Sequence, residues 1–101
     1  LAKSQFAAGK VSMAKVLMYS TAVCPYCIRA EQLLKRKGIL EIEKIRVDLQ
    51  PELRAAMMEK TGRRTVPQIY INGEYVGGFD DLAALDHAGA LDMLLAKSGI
   101  S

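Results

Sequence analysis

The apolar positions of this chain fall into two rhythms, and the switches between them mark out its elements. Residues 15–19 form a short apolar run rich in β-forming side chains and predict a buried strand. After a loop at 20–23, Ile28, Ala30, Leu33 and Leu34 recur at helical spacing. Pro25 suits the first turn of that helix, where its missing N–H would have no partner anyway. Lys35-Arg36-Lys37 favour the negative end of the helix dipole, and Gly38 stops the helix. Residues 42–49 alternate apolar and charged side chains, with one irregularity at Glu43-Lys44, and predict a second strand. Pro51 opens a second helix with Leu53, Ala56, Met57 and Lys60 at helical spacing, and Gly62 ends it. Residues 67–71 and 74–76 predict two short strands joined by Asn72-Gly73, the strongest short hairpin signal. Asp80 is placed to cap a third helix running through Leu82 and Leu85. Gly89 breaks that run, and residues 91–96 close the chain with a last helix.

The order β-α-β-α-β-β-α-α makes the first two strands parallel, because a helix crosses between them, and the last two antiparallel. The expected fold class is α/β, a four-stranded mixed sheet flanked by helices on both faces. A length of 101 residues fits one domain. Residues 1–12 lack a clear period and are read as an expression-derived or disordered leader, with the domain proper at 13–101.

Composition narrows the partners. Hydrophobic residues make up 50% of the chain, enough for a core without a disulfide scaffold. The formal charge is +3, but Lys3 and Lys10 lie in the leader, and without them the excess is only +1. That balance gives nucleic-acid binding no support. No apolar run approaches the roughly 20 residues of a membrane span, so no membrane partner is expected. Both cysteines sit in Cys24-Pro25-Tyr26-Cys27, at the predicted start of the first helix. A lone close pair points to catalysis or metal binding in a reducing compartment, and a cytoplasmic location is expected. Two thiols at this spacing can exchange two electrons as a disulfide. The helix N-terminus offers partial positive charge and free N–H groups, which lower the first thiol below its free value of about 8.5. The competing reading is half of a zinc site. Zinc wants four ligands, however, and the other good candidate, His87, is on a distant helix, so no metal site is assigned.

Three separated segments together resemble the glutaredoxins, most nearly the small bacterial dithiol class: Cys24-Pro25-Tyr26-Cys27, Thr65-Val66-Pro67 and Gly77-Gly78-Phe79-Asp80-Asp81. Thioredoxins fit less well, because their Trp-Cys-Gly-Pro-Cys motif needs a tryptophan and this chain has none. The resemblance implies a thioredoxin-like fold, a cis Pro67, and glutathione as co-substrate with no tightly bound cofactor. It makes Cys24 the accessible attacking thiol and Cys27 the shielded resolving one. It implies that the Val66 backbone pairs with the cysteinyl unit of glutathione beside Pro67 and Thr65. The amides of Phe79 and Asp80, following Gly78, would receive the γ-glutamyl carboxylate, and the Asp80 and Asp81 side chains its ammonium, while Tyr26 flanks the sulfur. Many members carry a lysine three residues before the first cysteine, and here Thr21 stands there. Arg64, and after it Arg54, is the expected substitute for the glycyl carboxylate; Arg63 is read as a solvated loop residue. The implied partners are glutathione and disulfide-containing or glutathionylated proteins, met by a monomer. Electron supply to ribonucleotide reductase belongs to the same family role, but no residue here specifies it. The alternative function is a [2Fe–2S] cluster held with glutathione, which the proline of Cys-Pro-Tyr-Cys disfavours.

Overall fold

The computed structural model describes residues 14–96, and the expectation for residues 1–12 lies outside them. The strands are β1 (Val16–Ser20), β2 (Ile42–Arg46), β3 (Gln68–Ile71) and β4 (Glu74–Gly77). The helices are α1 (Pro25–Arg36), α2 (Pro51–Thr61), α3 (Phe79–His87) and α4 (Ala90–Ala96). Their order is the predicted one. The sheet runs β2-β1-β3-β4, with β2 parallel to β1 and both β1/β3 and β3/β4 antiparallel.

Side-chain alternation along β1 divides the core. Val16 and Met18 point to one face, where they join Ile69, Ile71, Leu34, Leu82, Leu91 and Leu95. Tyr19 points to the other, against Val47 and Met57, with Leu17, Ile45, Leu53 and Tyr70 around them. Helices α1, α3 and α4 therefore cover one face and α2 the other. Among the described residues, no helix is long and apolar enough to cross a membrane.

Three expectations shift in detail. The buried stripe of α1 is Cys27, Ala30, Leu33 and Leu34, while Ile28 is 54% exposed. Counting from Cys27, steps of three and four residues lead to those positions and leave Ile28 on the solvent side. Strand β2 stops at Arg46 rather than running to position 49. Val47 donates its N–H to Ser20 O (3.0 Å) and buries under α2, after which the chain turns and leaves Leu49 67% exposed. The N-cap of α3 is Gly78, not Asp80, so the helix starts two residues earlier than its acidic pair suggests. The β3–β4 turn is as read: Asn72 and Gly73 both take positive φ, at 53° and 84°, the combination a two-residue hairpin turn requires.

Candidate active site

The first turn of α1 forms around sulfur. Cys24 is the N-cap, in extended conformation, with Pro25 at the first helical position. Its Sγ accepts the N–H of Cys27 at 3.1 Å, the place an N-cap oxygen normally takes. Cys24 and Cys27 form a disulfide with their Cα atoms 5.2 Å apart. The expected contrast in accessibility is absent in this oxidised state: Cys24 is 7% exposed and Cys27 5%. The physical reason is that the Cys24 sulfur turns inward to its partner and the Cys27 amide, within the α1 side of the core.

Beside this turn lies an open groove of about 310 Å³. Tyr26 forms one wall; it is 53% exposed, with its ring 6.0 Å from that of Phe79. The Arg29 guanidinium rests over the Tyr26 ring, 5.2 Å from its centroid. Thr65, Val66 and Pro67 form a second wall, and the Val66–Pro67 peptide is cis. Gly78, Phe79, Asp80 and Asp81 close the groove from the start of α3. First-turn N–H groups of a helix have no intrahelical acceptor, so those of Phe79 and Asp80 are donors at this wall.

Asp81 ties the two walls together. Its Oδ2 accepts the Gly78 N–H at 2.9 Å and Arg63 Nη1 at 3.1 Å. The Gly78 N–H, and after it Arg63, holds this carboxyl below its ordinary range, against a desolvation effect in the other direction. Arg63 therefore belongs to the groove wall and Arg64 does not. The Asp81 carboxylate holds Arg63 at this wall, while Arg54 Nη1 donates to the carbonyl of Arg64 at 2.8 Å. Thr61 Oγ1 accepts the Arg63 N–H at 3.0 Å and so sets the path of this loop.

Sequence reasoning also missed Gln68. Its side chain is buried, and its Nε2 donates to Thr65 O at 2.9 Å and Thr65 Oγ1 at 3.4 Å. Its Oε1 accepts from the Tyr75 hydroxyl. The amide thus anchors the Thr65 turn to β4. The signal was present as a single polar residue at the head of an apolar strand. Among the described residues, no group of three or more His, Cys, Asp or Glu is placed to hold a metal ion.

A cysteine pair at a helix N-terminus, beside a groove with helix-end donors, a fixed carboxylate and a wall that carries a cis proline, can exchange disulfides with a bound thiol peptide. Comparison with known proteins agrees. Residues 16–76 match the family model described as Glutaredoxin. The chain is 56% identical over 84 residues to a glutaredoxin of Pseudomonas aeruginosa, covering 83% of this chain and 99% of that one. The solution structure of glutaredoxin from Brucella melitensis superposes with a TM-score of 0.74 at 50% identity, over 88% of this chain and 97% of that one. The buckwheat glutaredoxin–glutathione complex superposes at 0.76 with 29% identity, over 92% and 86%. The chain accordingly belongs to the glutaredoxin family, the glutathione-dependent disulfide oxidoreductases of thioredoxin-like fold, with Cys24–Cys27 as its redox-active pair.

Proposed function

We propose that the protein reduces glutathionylated proteins and protein disulfides with glutathione, using Cys24 to attack and Cys27 to resolve. The observation that carries this reading is the groove that gathers Tyr26, the Thr65-Val66-Pro67 wall and the N-terminus of α3 beside the dithiol turn. Glutathione carries two carboxylates, one ammonium and an extended peptide. The Val66 backbone suits the cysteinyl unit, and the α3 amides suit the γ-glutamyl carboxylate. Asp80 and Asp81 suit the ammonium. Arg63, which lines the groove beside Asp81, adds a cation at the α3 end of it, whereas Arg64 does not line the groove.

With a glutathionylated protein, the Cys24 thiolate attacks the glutathione sulfur. The mixed disulfide breaks, and the protein sulfur leaves as thiolate and takes a proton. A second glutathione thiolate then attacks the Cys24-bound glutathione sulfur, releasing oxidised glutathione and restoring the Cys24 thiolate. With a protein disulfide, Cys24 attacks one sulfur and the other leaves. Cys27 then loses its proton and attacks the Cys24 sulfur, displacing the substrate. The two electrons come from the dithiol, leaving the Cys24–Cys27 disulfide, the form present here. Two glutathiones reduce it in turn. Family potentials of about −200 to −230 mV lie close enough to the glutathione poise for that step. The setting this requires is a reducing compartment such as the cytoplasm.

A Cys27→Ser protein, incubated with oxidised glutathione, tests the assignment. One glutathione adduct at Cys24 by mass spectrometry is expected, with amide shifts concentrated at Val66, Phe79 and Asp80 in the NMR spectrum. An adduct whose shifts spare the groove would contradict it.

A further inference from the structure

Both cysteines line a second cavity, of about 200 Å³, that shares no residue with the groove. Its other walls include Thr21 and Ala22 of the loop before Cys24, Glu31 of α1, and Lys44 and Arg46 of β2. Lys44 and Arg46 flank Ile45 and so project from one face of the strand. The parallel register sets Arg46 opposite Ser20, where β1 runs into the Cys24 loop.

Two sets of ion pairs meet at this cavity. Glu31 and Lys44 both line it and bond each other at 2.8 Å, and Lys35 reaches the second Glu31 oxygen at 3.2 Å. Arg46 is paired differently. Asp48 accepts its Nε at 2.7 Å and its Nη2 at 2.8 Å, but Asp48 is not a cavity residue. The same Asp48 carboxylate accepts the Ala22 N–H at 3.2 Å, two residues before Cys24. Arg46 and Asp48 thus form a two-point ion pair, with Arg46 lining the cavity beside the cysteines and Asp48 turned to the Ala22 N–H. The loop at 20–23 carries no charged side chain. On the groove side Arg63 is tied to Asp81, Asp80 adds a negative charge, and Arg29 lies over the Tyr26 ring.

We propose that Arg46 is a positioning residue of the dithiol, which anchors the loop leading to Cys24 through Asp48 and supplies the positive charge that favours the Cys24 thiolate. A cation beside a thiol lowers its pKa by stabilising only the ionised form. The device takes the place of the lysine that the loop lacks, and it acts from the neighbouring strand. It rests on the reading of Cys24 as the attacking sulfur.

The test uses the reduced Cys27→Ser protein, in which Cys24 is the only thiol, and follows iodoacetamide alkylation against pH without glutathione. Adding Arg46→Gln is expected to raise the midpoint by about half a unit to one unit, slowing alkylation about three- to tenfold well below the midpoint. Arg46→Lys keeps the charge and should hold the midpoint near the parent value. Asp48→Asn keeps an acceptor for the Ala22 N–H and removes the negative charge, so its midpoint should fall. An unmoved midpoint in Arg46→Gln overturns the proposal. So does an equal rise in Arg46→Lys, or a rise in Asp48→Asn, since either assigns the effect to loop geometry alone. A parent midpoint near the free-thiol value of about 8.5 removes the reading of Cys24 on which the proposal stands.

Discussion

At the scale of single residues, Asp81 does the most in the groove. It holds Gly78 at the helix start and Arg63 on the facing loop. Asp81→Ala removes both contacts and is expected to cost about 1 kcal/mol of stability, the usual effect of losing a helix-start acceptor. It should also raise the apparent KM for glutathione; chemical denaturation and steady-state kinetics check the two separately. Gly77 has φ 119°, and a Cβ there would collide with the Asp81 carboxylate. Gly77→Ala should therefore reproduce the KM defect of Asp81→Ala without touching a charged group, and an unchanged KM would break that link. Arg63→Ala should raise the KM several-fold and Arg64→Ala much less. The sequence made the acidic pair and the arginine pair visible but could not rank their members. Asp80 and Asp81 differ in role because Gly78 caps the helix, and Arg63 and Arg64 differ because Arg63 bonds the Asp81 carboxylate. The first distinction rests on a bond three residues apart at the helix start, the second on one 18 residues apart in sequence.

At the scale of elements, legibility followed the locality of the signal. The β3–β4 turn was legible because Asn72-Gly73 encodes its own positive φ angles. The start of α1 was legible from Pro25 and its end from Gly38, again local chemistry. The end of β2 was not, because Val47 buries against α2 while already outside the ladder, and the alternation in sequence continues past the last strand pair. The face of α1 was misjudged at Ile28, an exposed apolar residue that only packing identifies. Leu34 and Leu82 are fully buried on the α1 side of the sheet, and truncating either to Ala should cost about 2–5 kcal/mol. Ile28→Ala should cost well under 1 kcal/mol in the same denaturation experiment.

At the scale of the whole molecule, ion pairs link elements distant in sequence and set the response to acid. Lys44 holds the Glu31 carboxyl low, Arg46 holds Asp48 low, and the Gly78 amide holds Asp81 low. Each folded carboxyl binds a proton less readily than its unfolded form, so its contribution is fully present above about pH 4 and is lost as pH falls through the folded value. Lys37, raised by Asp86 and then Asp92, works in the opposite sense: its contribution holds below about pH 10.4 and fades above. Thermal melting should be nearly constant from pH 5 to 8 and should fall below about pH 4; a melting temperature that stays level into strong acid would exclude these pairs as contributors.

The division of labour between the two sulfurs is tested most directly by NADPH-coupled assays of wild type, Cys24→Ser and Cys27→Ser on two substrates, a glutathione mixed disulfide and a protein disulfide. Loss of Cys24 should abolish both activities. Loss of Cys27 should spare removal of glutathione and abolish reduction of the protein disulfide. Substantial activity in Cys24→Ser, or equal loss of both activities in Cys27→Ser, would contradict the assignment of attack to Cys24 and resolution to Cys27.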